Sequence, residues 1–271
     1  MLRSLRAMEN YKVNAVDGDV GKAIDFFFDD DDWAVRYLVV DTSGFWEASH
    51  QVLIAPNAFR QADGQSERID LSLTRDKVKN SPTVDLAKPV SRQYEREYFT
   101  YYNWPYYWER TVIEAEMLAG VGSGAANAPS DQGDTESVDP HLHAVRDVAG
   151  YNIHGNDEEF GRVQDFIIDD ENWEIRYLVV DTSRWWFGKS VLVAPRWIDR
   201  IDWASKRVYV NLPREVIKNS PEWNPEEAVN REYEVRLYDY YGRPAYWLNE
   251  DGSKPPSRRG WRHQLDSQDP V

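Results

Sequence analysis

Two acidic runs are the part of this chain best suited to hold a cation. Residues 29–32 are four consecutive aspartates, and residues 169–172 read Asp-Asp-Glu-Asn. Carboxylate oxygens are the ligands that calcium prefers, but an EF-hand loop also needs glycine at its sixth position and glutamate at its twelfth. Neither run has this spacing, and Asp and Asn are also typical of tight turns. We therefore interpret both runs as hairpin turns, with a calcium loop as the alternative.

A histidine pair is the second group of residues that could bind a metal. His141 and His143 are separated by one residue and lie close to Asp139. The chain has no cysteine, and no second histidine pair completes a tetrahedral zinc site. The sequence therefore predicts neither a bound metal nor another cofactor.

An internal duplication organises these residues. Residues 21–43 and 161–183 align without a gap at an offset of 140, and 14 of the 23 positions are identical. After a one-residue deletion the match continues, because residues 79–82 and 218–221 both read Lys-Asn-Ser-Pro. Such self-similarity indicates repeated structural units. We predict one domain at residues 1–110 and a second at residues 141–248.

If each copy contained a catalytic site, its residues should recur at equivalent positions in the two copies. No G-x-S-x-G motif occurs, and none of the five histidines recurs at an equivalent position. A strand aspartate beside a strand arginine forms an ion pair more often than an acid–base couple, so we predict no catalytic residues and no enzymatic activity. The recurring polar residues that we identify are Asp25 and Asp165, Arg36 and Arg176, Asp41 and Asp181, and Thr42 and Thr182.

The aromatic side chains predict a surface for a protein partner. Trp185, Trp186 and Phe187 follow a predicted strand, and Phe45 and Trp46 lie opposite them in the first copy. Three consecutive bulky aromatic residues in a loop indicate a binding surface, because large exposed apolar patches are rare on monomeric proteins.

A further aromatic segment ends each copy. Residues 101–108 hold four tyrosines and two tryptophans, and residues 240–247 repeat much of this pattern. Such a segment could bind a sugar or a peptide, since exposed aromatic residues make good anchors. We favour the alternative that the segment packs back and closes its domain.

The elements that must position these residues are mostly strands. Residues 20–28 and 33–41 are rich in Phe, Val and Tyr and flank an acidic turn, which predicts a hairpin. Residues 91–102 place four tyrosines on one helical face, and residues 230–241 repeat this helix. Short strands in close succession predict two small antiparallel β-barrels, each with short C-terminal helical elements.

The hairpin turn predicts which polar residues face each other. If the first turn is centred between Asp30 and Asp31, Asp25 faces Arg36 across the strands. The equivalent register in the second copy places Asp165 opposite Arg176. Cross-strand pairs of opposite charge stabilise a sheet by about 0.2–1 kcal/mol each.

Composition limits the classes of partner and the cellular location that we expect. The net charge of −15 argues against nucleic acid, because phosphate-binding surfaces are positively charged. No apolar run approaches the roughly 20 residues that span a bilayer, and the N-terminal residues lack a signal-peptide core. We expect a soluble, cytoplasmic chain without membrane insertion. Residues 111–140 are rich in small and acidic side chains and predict a flexible linker, and residues 249–271 predict a polar tail.

Several segments together resemble the PRC-barrel family. In the first copy they are residues 11–13 (Tyr-Lys-Val), 17–22 (Asp-Gly-Asp-Val-Gly-Lys), 33–42 (Trp-Ala-Val-Arg-Tyr-Leu-Val-Val-Asp-Thr), 79–82 and 106–108. This module occurs in the cytoplasmic part of the photosynthetic reaction-centre H subunit and, more distantly, in a ribosome-maturation factor. The resemblance covers roughly residues 1–110 and 140–248. It implies a tandem of small β-barrels and a role in docking or assembly.

We therefore expect a non-enzymatic adaptor or assembly module that binds a protein partner. A small-molecule or sensory module with a ligand between the barrels is the alternative, and an enzyme that uses Asp41 and Asp181 is a third. We also expect the two copies to pair about a pseudo-two-fold axis, or to form the same contact in a homodimer. The aromatic segments at residues 91–108 and 230–247 are the expected contact elements.

Overall fold

The structure is a computed structural model that describes residues 1–46, 50–86, 88–108, 138–183 and 189–248. Trp185, Trp186 and Phe187, most of the predicted linker, and residues 249–271 lie outside the described residues. The predicted mainly β class is confirmed, since 39% of the described residues are strand and helices are few among them.

Each half follows the same order of elements. The first half contains β1 Leu2–Ser4, β2 Lys12–Ala15, β3 Gly18–Asp29, β4 Ala34–Asp41, β5 Gln51–Ile54, β6 Phe59–Asp63, β7 Arg68–Leu71, α1 Arg75–Lys79 and α2 Arg92–Tyr102. The second half contains β8 Leu142–Ala144, α3 Val145–Val148, β9 Asn152–His154, β10 Glu159–Asp169, β11 Glu174–Asp181, β12 Ser190–Val193, β13 Ile198–Asp202, β14 Arg207–Val210, α4 Arg214–Lys218 and α5 Arg231–Tyr241.

Strand β4 shows why the hairpin strands are apolar on both faces. Tyr37 and Val39 belong to a hydrophobic cluster with α2, whereas Leu38 and Val40 belong to the larger core cluster. Side chains alternate between the two faces of a strand, so a strand covered on both faces is apolar throughout. All four side chains are fully buried.

All the strands belong to one sheet. The strand order is β13-β14-β9-β10-β11-β4-β3-β2-β7-β6, and β5 and β12 pair with β4 and β11. The sheet does not close, so the expected pair of separate barrels is not confirmed. At its centre, β4 meets β11 through the antiparallel pair Ala34 and Glu174, which are equivalent positions in the two copies.

The first strand of each half pairs with the hairpin of the other half. Strand β1 lies on β10, with Leu2 opposite Asp169, and strand β8 lies on β3, with Leu142 opposite Asp29. Apolar side chains of the two halves also contact each other. Because the Phe28 ring lies 5.4 Å from Phe166, the two hairpins share one hydrophobic core. We call this reciprocal arrangement the strand exchange.

The prediction that the aromatic helices join the two halves is wrong. Tyr98 on α2 contacts Tyr37 of its own half, and Tyr238 on α5 contacts Tyr177 of its own half. Both helical tyrosines are buried, so each helix uses its aromatic face to cover its own part of the sheet. The halves meet instead through β1, β8 and the long hairpins, where unpaired strand edges take up the exchanged strands.

The predicted register of the first hairpin is also wrong. Asp25 lies opposite Val39, and Arg36 instead forms ion pairs with Asp29, at 3.4 Å, and with Asp32. Two register shifts explain the difference, because Ile24 in β3 and Arg36 in β4 are extra residues of β-bulges and have no partner on the opposite strand. In addition, Trp33 has a φ of 55°, so the turn extends one residue further than the centred turn that we assumed.

The second hairpin departs from the prediction in the same way. Asp165 lies opposite Val179. The Arg176 guanidinium lies 3.6 Å from Asp169 and 2.5 Å from Glu174. Arg36 and Arg176 therefore stabilise the hairpin turns and do not pair with Asp25 and Asp165.

The bulges turn Asp25 and Asp165 toward the other half of the chain. The Asp165 carboxylate accepts a hydrogen bond from the backbone N–H of Arg6 at 3.0 Å, and Asp25 accepts one from Arg146 at 3.3 Å. Arg6 is the first residue and Arg146 the second residue of the short helical turns that follow β1 and β8. Each aspartate therefore caps the helical turn that follows the exchanged strand, where backbone N–H groups lack partners.

Replacing Asp25 with asparagine should stabilise the protein at neutral pH. Burial raises the pKa of Asp25 from 3.8 to about 6, because the folded state favours the protonated carboxyl group. Asp25 therefore contributes to stability below pH 4, and this contribution is lost as the pH rises through 6. Asparagine keeps an acceptor oxygen for Arg146 without a buried charge. We expect a gain of about 1–2 kcal/mol at pH 7 and none near pH 4, measured by urea denaturation.

Asp41 provides a matched control for this variant. Hydrogen bonds from Ser43 lower the pKa of Asp41, so Asp41→Asn should reduce stability at pH 7. Equal effects of the two substitutions at pH 7 would contradict the assignment of Asp25 as a partly buried cap.

Candidate functional site

Each half contains one buried glutamate in a long helix. Ser91 and Asn230 cap α2 and α5, and each side chain accepts a hydrogen bond from a backbone N–H in the first turn. From these caps, the helical period places Glu95 and Glu234 on the face that contacts the sheet. Glu95 is 0% exposed and Glu234 is 2% exposed. A buried carboxyl group requires hydrogen-bond partners, and both have them.

In the first half, three side chains donate to Glu95. The Tyr37 hydroxyl donates to Oε1 at 2.8 Å, and the Tyr107 hydroxyl donates to the same oxygen at 2.9 Å. Arg92 donates to Oε2 at 2.9 Å. Both carboxyl oxygens therefore have partners.

The second half repeats this geometry. The hydroxyls of Tyr177 and Tyr246 donate to Oε1 of Glu234 at 2.8 and 2.9 Å, and Arg231 lies 3.0 Å from Oε2. Because the same atoms take the same roles at equivalent positions, the arrangement belongs to the repeated unit. We call each set of one glutamate, two tyrosines and one arginine a buried carboxyl cluster.

Arginine side chains stack on the aromatic segment that closes each cluster. Arg36 lies 4.0 Å above the Tyr107 ring, and Arg92 lies 4.5 Å from the Trp108 ring. In the second half, Arg231 lies 4.0 Å from the Trp247 ring. Cation–π contacts of this kind hold aromatic rings in place. The aromatic segments thus pack against their own domains and do not form an open platform.

The first cluster has an additional carboxyl group. Asp139 is buried and lies 2.9 Å from Arg92, and the Tyr107 hydroxyl lies within 3.2 Å of it. Tyr107 has one hydroxyl proton but faces two carboxyl groups, so it donates to one of them at a time. Burial, together with the Asp139 carboxylate, raises the pKa of Glu95 to about 7, although Arg92 and the tyrosine hydroxyls act in the opposite direction.

A carboxyl group with a pKa near 7 is suited to acid–base chemistry, but this one has no access to a substrate. Glu95 is completely buried, and its oxygens are occupied by Tyr37, Arg92 and Tyr107. Burial also raises the pKa of Tyr37 well above its usual value, so its hydroxyl stays protonated as a donor. The clusters therefore attach the long helix and the aromatic segment to the sheet.

The recurring residues after β4 and β11 have structural roles. Asp41 accepts hydrogen bonds from the backbone and hydroxyl of Ser43, and Asp181 does the same with Ser183. The equivalent threonines are fully buried and donate to a backbone carbonyl across the loop, as Thr42 does to His50 at 2.5 Å. Aspartates held in such turns do not form a reactive pair.

The predicted aromatic surface is described in the first half alone. Phe45 and Trp46 follow β4 and are partly exposed. Trp46 packs against the core, and its ring stacks with His50 at 6.2 Å. Phe45 is thus the residue of this loop that is better placed to meet a partner.

The structure brings one acidic turn together with the histidine pair. His141 Nδ1 lies 2.9 Å from Asp30 and 3.3 Å from Asp31, and His143 Nε2 lies 3.5 Å from the second oxygen of Asp30. The donor atoms of Asp30, Asp31 and His141 all lie within 4.8 Å of one another, so these residues could hold a metal. We interpreted the turn and the histidines separately, because 110 residues separate Asp31 from His141.

Sequence reasoning missed the buried carboxyl clusters. The signal was present, since residues 92–95 and 231–234 both read Arg-x-Tyr-Glu at the offset of 139 that relates the C-terminal parts of the two copies. A charged residue on an otherwise aromatic helical face that recurs in both copies indicates a buried polar cluster.

Removing a cluster carboxyl group should destabilise the protein strongly. Glu95→Ala leaves Tyr37 without its acceptor and Arg92 with Asp139 as its remaining carboxylate partner, so we expect a loss of about 2–3 kcal/mol in the free energy of unfolding. Glu97→Ala on the exposed face of the same helix should change it by less than about 0.5 kcal/mol. Urea denaturation measures both, and similar losses would show that the cluster does not hold the helix.

Comparison with known proteins finds a family match in the second half. Residues 140–217 match the family model of the PRC-barrel domain, which spans β8 to α4. The match to the first copy remains a prediction. A search of curated proteins finds no significant match. Within the described ranges, no helix combines the length and apolar character needed to cross a membrane. PRC-barrel domains are generally non-catalytic.

Proposed function

We propose that the chain is a tandem PRC-barrel protein that acts in the cytoplasm as a non-enzymatic adaptor or assembly module. The tandem arrangement is supported by the repeated sequence, by the same order of elements in both halves and by the repeated buried carboxyl clusters. A duplicated unit of this kind offers a partner two related surfaces on one chain.

The observation that carries this proposal is the internal use of the recurring polar residues. In each half, the buried glutamate is sealed by two tyrosines and an arginine. Asp25 and Asp165 cap helical turns of the other half, and Asp41 and Asp181 hold local turns. An active site needs such groups converging on an open cavity, and these groups are instead engaged in contacts within the chain.

Cavity size favours a protein partner over a small ligand. A cavity of about 180 Å³ lies between the N-terminal segment and the second half. Its lining includes Arg3, Met8, Tyr11, Ile167 and Trp223. Small-molecule sites usually enclose roughly 300–1,000 Å³. The alternative of a ligand held between the halves therefore has weaker support than protein binding.

The proposed docking surface is the loop after β4 and its counterpart after β11. Phe45 and Trp46 supply the apolar side chains in the first half, and Trp185, Trp186 and Phe187 supply them in the second. The net charge of −15 favours a partner with a basic surface, because opposite charge speeds association. Apolar anchors surrounded by charge are typical of protein interfaces.

Affinity capture with the intact chain tests this proposal. We expect a stoichiometric partner to be retained by the wild type and to decrease at least about tenfold with Phe45→Ser, because central aromatic anchors dominate binding energy. Val16→Ser is the matched control, since Val16 is an apolar residue that is 54% exposed and follows β2, outside this loop. Capture is quantified by mass spectrometry of the retained proteins.

Two other outcomes would contradict the proposal. A partner retained equally by the Phe45 and Val16 variants would reject this loop as the docking surface. A small molecule that copurifies with the chain, in place of a protein and detected as added mass by native mass spectrometry, would favour the ligand-binding alternative.

A further inference from the structure

The strand exchange places a histidine against the acidic turn of the other half. Leu142 pairs with Asp29 at the end of β3, so His141 lies beside the turn that follows. The backbone N–H of Asp30 donates to the carbonyl oxygen of His141 at 3.0 Å. This main-chain contact holds the imidazole next to the carboxylates, which means that the side chains meet through the fold and not through local sequence.

The distances between donor atoms suit a small metal ion. Ligands that lie about 2.0–2.2 Å from a tetrahedral zinc ion are about 3.3 Å from one another. His141 Nδ1 lies 2.9 Å from Asp30 Oδ1 and 3.3 Å from Asp31 Oδ1. An ion at the centre of these three atoms would have one nitrogen and two oxygen ligands, with its remaining positions open to water.

The equivalent acidic turn in the second half has a different partner for its carboxylate. There, the backbone N–H of Asp170 donates to the carbonyl of residue 1, and the Asp170 carboxylate pairs with Arg3 at 2.5 Å. Asp170 is equivalent to Asp30, and Arg3 is equivalent to His143. The second half therefore neutralises its acidic turn with a permanent guanidinium charge. The first half has imidazoles at this place, which are metal ligands when they are neutral.

A neighbouring contact orients the acidic turn. The His143 ring stacks on Trp203 with ring centroids 3.5 Å apart, and its Nε2 lies 3.5 Å from the second oxygen of Asp30. That nitrogen is buried and lacks a hydrogen-bond partner of good geometry. A histidine fixed in this way can position Asp30 as a ligand, since groups that contact metal ligands orient them and adjust their affinity.

We propose that Asp30, Asp31 and His141 bind a divalent transition-metal ion of the zinc class, with His143 as a positioning residue for Asp30. Mixed imidazole and carboxylate ligands suit zinc and its neighbours, whereas calcium and magnesium prefer oxygen alone. The ion would connect the first hairpin to strand β8, and so would tie the start of the second half to the first. Because this bridge exists in the folded chain, binding should also stabilise the strand exchange.

Zinc titration of the intact, chelator-treated chain by isothermal calorimetry tests the site. We expect saturable binding of one ion at Asp30, Asp31 and His141, and a rise in the unfolding temperature with zinc. His141→Ala and Asp31→Asn should each weaken binding by at least about tenfold. Asp31 is 73% exposed, so its substitution leaves the fold intact and separates a ligand role from a structural one.

His154 is the matched control. Its imidazole lies 3.2 Å from Glu159, and among the described residues His154 belongs to no group of three potential metal ligands. His154→Ala should leave zinc affinity unchanged. Binding that survives both His141→Ala and Asp31→Asn, an equal loss with His154→Ala, or the absence of saturable binding at millimolar zinc would overturn the proposal. Preferential binding of calcium would overturn the assigned metal class.

Discussion

The reciprocal pairing of β1 with β10 and of β8 with β3 is the interaction on which the rest of this structure depends. Each long hairpin leaves an edge with unpaired backbone groups, and the exchanged strand satisfies them. The same contact merges the two hydrophobic cores and aligns Ala34 with Glu174 at the centre of the sheet. It also places a backbone N–H of the other half beside Asp25 and Asp165. One set of backbone hydrogen bonds therefore determines how the duplicated units are joined.

The buried carboxyl clusters hold the outer layer of each half on this frame. Burying Glu95 or Glu234 costs desolvation energy, which two phenol hydroxyls and an arginine offset. Such a cluster stabilises one arrangement of its helix, because a shift of the helix would leave a buried charge without partners. The clusters explain why polar residues that recur in both halves need not indicate catalysis.

The two halves differ where the strand exchange brings different residues to equivalent turns. Asp170 meets Arg3, whereas Asp30 meets His141 and His143. Duplication first produces identical contacts, and later substitutions act on one copy at a time. The same backbone geometry then supports a permanent ion pair in one half and a set of metal-ligand types in the other. Asp139, which extends the first cluster alone, is a second difference of this kind.

The sequence by itself determined the duplication, the long hairpins, the tyrosine-rich helices and the mainly β class, because these follow from local composition and from side-chain periods of 2 and 3.6. It did not determine the register of Asp25 and Arg36, since β-bulges add residues without a local signal. The strand exchange, the surroundings of Glu95 and the meeting of Asp30 with His141 were decided by tertiary structure. Each of these contacts joins residues that are far apart in the chain. The sequence around either residue does not indicate which distant segment will pair with a strand edge or bind a carboxyl group.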